Sequence, residues 1–526
     1  MTGIFHQDSS YYKSMKNTVY KNASIVTGLS VAERALGFLY RIVLSRLIGA
    51  EGLGLYQVAL SLFGLFVTIG TGGIPITVSR MISKCKAEKD PLGERNALSA
   101  GLFGCLLLSL PCALIFGLFG EKMSFLFSDM RSFPVFRILL IGLSLSCIYA
   151  VFRGYFWGNK SFLTPSLLEI SEEAVMVIAG VFLLQAVPSP EVGAERAAWA
   201  VVLSYLFSFT ASTLCFFARG GRLTSPKKEL KPLFNASLPI TSVRASASLV
   251  TSAVAILLPA MLARAGMDER EAVKLFGVVT GMVFPILFIP STLLGSLSLV
   301  LVPELAEDYY RKDYARLKKN ILRGLKFAFF LSCALLPFFY ALGRDIGLLT
   351  FSNHTAGEMI ARSGVILLPM SLTMISSSML NSIGFEKQTF TFFFVGAAGL
   401  LLSVLILPPL CGAYAYLIGL GVSYVLTATC NLVFLYKKCP FLKKDKGQVR
   451  DYAPFFTLFA ILPFSLLGKL CLRIFAGFLS SLLALLLTAF LLTAATLLLY
   501  LSLQIVRLPK WKKKGVFSSK KFSSLY

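Results

Sequence analysis

The sequence predicts an all-α polytopic membrane protein of about fourteen transmembrane helices, arranged as two pseudo-symmetric six-helix lobes plus two C-terminal helices. Three observations carry this expectation: an apolar composition, apolar runs of one recurring length, and a faint internal repeat. Of 526 residues, 56% are hydrophobic and 15% charged, against roughly 45–50% and ~25% in soluble domains. The mean hydropathy is +0.75. Apolar runs of roughly 20 residues recur from end to end, the length a helix needs to cross a ~30 Å hydrocarbon core. Strands of a membrane barrel would be shorter and would alternate polar with apolar residues, a pattern missing here.

Taken in order, the expected spans are 24–48, 54–78, 96–118, 135–157, 163–186, 196–218, 236–263, 274–302, 321–342, 358–382, 388–408, 412–436, 453–474 and 480–505. The polar opening, "MTGIFHQDSSYYKSMKNTVYKN", reads as no removable signal peptide, which makes the first span the insertion signal. Loops 219–235 and 437–452 are rich in Lys and Arg and contain Pro. They set the expected boundaries: an N-terminal lobe over 1–218, a C-terminal lobe over 219–436, and two further helices with a basic tail over 437–526.

The net charge of +25 is unevenly placed. About three-quarters of the loop Lys and Arg fall in alternate loops, such as 80–95, 218–231, 309–319 and 436–450, and in the tail 507–521. That is the positive-inside pattern of a multi-pass membrane protein with both termini cytoplasmic. The basic face therefore reports topology and attraction to anionic membrane lipids, and no nucleic-acid partner is expected. Most of the ten cysteines lie in apolar runs without paired spacing, and His6 and His354 are far apart. Neither a disulfide framework nor a metal site is expected. The chain has no Walker A sequence, dinucleotide fingerprint or serine-hydrolase elbow, so no cofactor and no enzymatic activity are expected.

The repeat links "KNASIVTGLS" (21–30) with "FNASLPITSV" (234–243), where Asn-Ala-Ser recurs at an offset of 213. The second span of each half is interrupted in a comparable place, by "TIGTGGIP" ending at Pro75 and by "PILFIPSTLLG" containing Pro290, an offset of 215. Broken helices paired between two repeats point to the central site of a transporter.

Charges within the spans are the candidate site. An arginine at the bilayer centre costs from ~2.5 to more than ~10 kcal/mol, so it is expected to face water or a partner. Arg34 and Arg41 stand two helical turns apart on nearly one face of the first span. Arg46 is rotated off that stripe and reads as an interface anchor. Span five carries Glu169, Glu172 and Glu173 on one side, where three acids would repel in lipid unless cations, water or protonation relieve them. Arg244 opens span seven among Ser and Thr. Arg153 ends span four beside aromatic residues, equally suited to snorkelling or to a ligand contact. Arg34, Arg41, Arg244 and Arg153 are the candidate substrate-binding residues, and Glu173, Glu172 and Glu169 the candidate ion-coupling residues. A cationic cleft favours an anionic cargo, and phosphate is the natural partner for the planar donor fork of arginine.

The stretches "ERALGFLYRIVLSRLIGAEGLGLYQVALSLFGLF" (33–66), "GGIPITVSR" (72–80) and "RGYFWGNKSFLTPS" (153–166) resemble the stage V sporulation protein B family. That family is a polysaccharide-biosynthesis branch of the superfamily of multidrug, oligosaccharidyl-lipid and polysaccharide exporters. More distantly the chain is similar to the MurJ lipid II flippases, whose Arg-x-Leu-Gly-Phe core is matched by Arg34, Leu36, Gly37 and Phe38. It departs from them at Tyr40 and Arg41, where they carry an Arg-Asp pair, and at Pro285, near where they carry a cavity arginine. The resemblance implies a MATE-like, V-shaped pair of lobes around a cationic cavity, with Arg34 lining it and Glu173 matching a recurrent acid of span five. It also implies that the last two helices shape a groove for a polyprenyl tail.

The expected function is a flippase that moves an undecaprenyl-pyrophosphate-linked saccharide, a peptidoglycan precursor of the spore cortex or cell wall, to the outer leaflet by alternating access. Its partners would be that lipid-linked substrate, membrane lipids and cell-wall synthesis enzymes. The alternatives are a flippase for another lipid-linked polysaccharide, a MATE-like cation or drug antiporter, which would rely on acidic rather than cationic cavity residues, and a non-transporting scaffold indifferent to cavity charge.

Overall fold

A computed structural model describes residues 4–119, 127–439 and 453–502. The basic tail at 507–521 and most of the expected 437–452 linker lie outside the described residues. The described chain is helical throughout. In order the helices are α1 (Ile4–Thr71), α2 (Ile74–Ala87), α3 (Pro91–Phe119), α4 (Ser132–Gly158), α5 (Leu163–Leu183), α6 (Pro190–Ala218), α7 (Leu230–Arg264), α8 (Glu269–Gly277), α9 (Phe284–Leu287), α10 (Ile289–Tyr310), α11 (Tyr314–Phe351), α12 (His354–Ser363), α13 (Leu367–Ser382), α14 (Glu386–Ile406), α15 (Pro408–Cys411), α16 (Tyr414–Lys438), α17 (Ala453–Ala476) and α18 (Ser481–Ser502).

Twelve helical stretches among the described residues are long and apolar enough to cross a membrane. The difference from fourteen has two physical sources. The stretch Ile25–Ala87 counts once, although its helix is broken at Gly49, where φ 69° and ψ −178° are open only to glycine. Helix α5 has the length and apolar content of a span, but its three carboxylates, Glu169, Glu172 and Glu173, set it apart from the others.

Both expected interruptions are present. α1 ends at Thr71, and α2 starts after two intervening glycines with Pro75 in its first turn, where the missing N–H costs nothing. α8 passes through a π-helical turn at Val278–Val283, and α10 starts with Pro290 in its first turn.

The helices before residue 219 pack mainly on one another, with α4 against α6, α1 and α3. The later helices do likewise, with α14 on α16 and α11 on α12. The two sets meet where α1 crosses α7 and α8. Near the Gly49 end a methyl on Gly54 would collide with the Val273 carbonyl, and one on Gly277 with the Ala50 carbonyl. The crossing is thus backbone against backbone. Toward the other end, Ser252 donates to the Ser61 carbonyl at 2.8 Å, Thr68 and Ser248 share a hydrogen bond of 2.8 Å, and the Gly73 N–H donates to Thr241 Oγ1 at 2.9 Å. α17 and α18 lie on α11, held by Tyr500 donating to the Phe330 carbonyl at 2.5 Å and by a small apolar cluster of Ala341, Leu342 and Leu492.

Candidate functional site

The first half of α1 presents Arg34 and Arg41 as exposed side chains. Among the described residues neither lies within ion-pair distance of a carboxylate. Arg41 reaches the wall of a cavity of about 740 Å³ between α1 and the later helices. Its neighbours from α1 are Gln57 and Ser61, and the remaining lining comes from α7 onward. Arg34 is not part of that lining and stands farther along the same helix.

The acids of α5 are not equivalent. Glu169 binds Arg153 of α4 at 2.9 Å, and that guanidinium also lies 5.1 Å from the centre of the Trp157 ring. Their side chains are 21% and 32% exposed, so this pair is neutralised and half-withdrawn from solvent. Glu33 of α1 lies within electrostatic reach of both. Glu172 keeps one buried carboxylate oxygen, Oε2, without a hydrogen-bond partner among the described residues. Glu173 rests on α1 at Gly37, where any larger residue would press on its carboxylate, and Arg41 is among the charges acting on it. Tyr40, the position where the chain departs from the lipid II flippases, is buried on Gly180 of α5 with its hydroxyl unpartnered among the described residues.

Arg244 of α7 donates to the Gly72 carbonyl at 3.1 Å, closing the end of the α1 break from the opposite set of helices. The structure thus brings Arg41 and Glu173 to one region where α1 meets α5, while Glu172 is turned toward Ser208 of α6. It ties Arg153 to Glu169, and places Arg244 at the α1–α7 crossing. Among the described residues, no group of three His, Cys, Asp or Glu could hold a metal ion.

Two arrangements lie outside the expected site. Arg46 donates through Nε to the Thr350 carbonyl at 2.9 Å and through Nη2 to the Leu349 carbonyl. These are the last carbonyls of α11, where the helix dipole favours a cation. The second is Arg131, which sits among Asp129 at 2.7 Å, Glu51 at 2.5 Å and Glu191 at 2.6 Å, knitting the chain before α4 to the Gly49 turn and the start of α6. Hydrogen bonding to Asp129 foremost, then to Glu51 and Glu191, raises its pKa above the usual guanidinium value against the opposing effect of burial. Sequence reading found neither set of partners, because they lie up to 304 and 80 residues away in the chain.

The comparisons with known proteins agree with this architecture. Residues 19–307 match the model of the family described as polysaccharide biosynthesis protein. Stage V sporulation protein B of Bacillus subtilis (strain 168) is 30% identical over 312 residues, 56% of this chain and 60% of that protein. Lipid II flippase MurJ of the same organism is 24% identical over 344 residues, 60% of this chain and 63% of that protein. The match therefore spans about three-fifths of the length of these relatives. Among solved structures, an inward-facing multidrug resistance MATE family transporter of the MOP superfamily superposes with TM-score 0.66 at 16% identity, covering 79% of this chain and 96% of that one. Lipid II flippase MurJ in an inward closed conformation superposes with TM-score 0.65 at 16% identity, over 91% and 99%. The recurring spans, the paired helix breaks, this shared fold and a family match over more than half the chain lead to one conclusion: the chain is a multi-pass membrane protein that belongs to the polysaccharide biosynthesis protein family.

Proposed function

We propose that this protein is a flippase for an undecaprenyl-pyrophosphate-linked saccharide of the peptidoglycan-precursor type, carried from the cytoplasmic to the outer leaflet by alternating access. The observation that carries the reading is Arg41: an exposed guanidinium on the wall of a cavity of about 740 Å³, with no carboxylate in ion-pair distance among the described residues. A cation held there without a counter-ion is a receptor for an anion. In this reading residues 1–218 and 219–436 are the two lobes, 437–526 the appended pair of helices and tail, and both termini are cytoplasmic. Arg41 and Arg34 take the pyrophosphate. Arg244 and Arg153, already holding a carbonyl and a carboxylate, guard the approach rather than the bound anion.

The protein lowers the barrier for the headgroup by substituting guanidinium groups and hydroxyls for water while the lipid tail stays in the bilayer. Moving about two negative charges outward gains ~4–5 kcal/mol per 100 mV of inside-negative potential, enough to give direction to transport. Glu172 and Glu173 are the ion-coupling acids, since Glu169 is occupied by Arg153. The relatives named as a sporulation protein and a lipid II flippase support a wall or spore precursor as cargo and cell-wall synthesis enzymes as neighbours. A cation antiporter is the weaker reading, because the charged side chain in the cavity lining is an arginine and no acid stands there.

The test is leaflet access in vesicles containing the purified protein and undecaprenyl-linked precursor labelled on its sugar. An enzyme added outside should modify about half the label without the protein and nearly all of it with the protein. Equal modification in the two cases removes the proposal.

A further inference from the structure

The later-helix wall of the cavity differs in chemistry from the Arg41 side. Apart from Arg41 the cavity has no charged residue in its lining. Its polar groups fall into two sets. Thr280, Thr373, Thr389 and Thr427 each donate their hydroxyl proton to a backbone carbonyl, at 2.7, 2.8, 3.1 and 2.8 Å. Each of these oxygens can then offer the cavity only lone pairs. Tyr416 and Tyr424, with Gln57 from the α1 side, are the converse case. Their side-chain donors make no hydrogen bond among the described residues, and Ser377 accepts from Asn431 at 2.9 Å while its own proton stays free.

Acceptors and free donors therefore share the lining of one cavity with aromatic rings. Phe284 packs edge-on against Tyr416, with ring centres 4.9 Å apart, and against Phe288 at 5.5 Å. Ligand hydroxyls that both donate and accept, on a ring with apolar C–H faces, match such a wall. An acyl chain would leave the free donors unsatisfied, at a cost of the order of a lost hydrogen bond each. A charged peptide would find no counter-ion beyond Arg41, and burying an unpaired charge costs more still. The volume lies within the ~300–1,000 Å³ range of small-molecule sites.

We propose that this wall is the saccharide compartment of the cavity, holding the uncharged sugar next to the phosphate, with Tyr416, Tyr424 and Ser377, joined by Gln57 from α1, as specificity-determining donors. Any charged portion of the headgroup stays outside it. The proposal rests on the flippase reading, in which Arg41 takes the phosphate.

The experiment compares two probes on the full-length protein in nanodiscs: farnesyl pyrophosphate, and farnesyl pyrophosphate carrying one N-acetylglucosamine. Wild type should bind the sugar-bearing probe at least about tenfold more tightly, since two well-made hydrogen bonds suffice for that ratio. The double variant Tyr416→Phe/Tyr424→Phe, which removes two oxygens and no ring, should reduce the ratio about tenfold with its melting temperature near wild type. Arg41→Ala should weaken both probes alike. A wild-type ratio near one, or a ratio untouched by the double variant, overturns the saccharide compartment while leaving the flippase reading standing. Binding of farnesyl pyrophosphate that does not respond to Arg41→Ala overturns both.

Discussion

Arg131 and Arg41 are the same residue put to opposite uses. Arg131 is enclosed by Asp129, Glu51 and Glu191, all within 2.7 Å, and joins three segments near the Gly49 end. Arg41 stands in a helix interior with no carboxylate within ion-pair distance among the described residues, only the more distant charge of Glu173, and faces a cavity. A saturated guanidinium is a fastener: its energy lies in holding helix ends together, and it has no donors to spare. An unsaturated one contributes little to the resting fold and keeps its donor fork for a ligand. Count of arginines within apolar runs therefore says little about function, and the partners of each say much.

The contrast can be broken from either side. The largest effect is expected at Arg41. Replacement by Ala should lower transport of a lipid-linked pyrophosphate by about 100-fold, the loss of two charge-assisted hydrogen bonds, with melting temperature and protein level nearly unchanged. Arg131→Ala should do the reverse. It leaves three carboxylates crowded at 6–30% exposure, and stability should drop by about 2–3 kcal/mol, read as a lower melting temperature, while transport per folded molecule stays close to wild type. Gly49→Ala sharpens the point that the nearby turn is structural: its φ of 69° and ψ of −178° should cost an alanine about 1–3 kcal/mol in the same assay. Arg46 stands between the two kinds, since it grips the last carbonyls of α11 across the molecule. Arg46→Ala should release about 1 kcal/mol of that contact, and distances between spin labels on α1 and α11 should shift toward a separated population by about fivefold.

Much of the architecture was legible in the sequence because it rests on local signals. Pro75 and Pro290 mark the two breaks, since a ring without an N–H fits the first turn of a new helix, and both prolines stand there. The three acids of α5 were visible as a stripe. What the stripe could not show was that Glu169 belongs to Arg153, that Glu173 uses the space left by Gly37, or that Glu172 keeps a buried oxygen free. Those facts depend on which helices become neighbours. The same holds for the cavity wall. Thr373, Ser377, Ser423 and Thr427 are spaced four apart in pairs, a pattern shared with ordinary helix packing. It gains meaning only because α13 and α16 turn those faces toward Arg41. The Gly49 turn gave no sign beyond one glycine among many, because the Arg131 cluster and the close crossing at Gly54 and Gly277 that lie beside it join residues far apart in the chain.

The account depends most on the guanidinium of Arg41 standing in a hydrated chamber that a phosphate can enter. Its most direct test keeps Arg41, places a single cysteine at Ser61 on the same cavity wall in a background free of the ten native ones, and measures its reaction with a charged, membrane-impermeant thiol reagent. Rapid labelling that farnesyl pyrophosphate slows is the predicted result. A thiol that stays unreactive in folded protein, or reacts at a rate indifferent to the pyrophosphate, would contradict it.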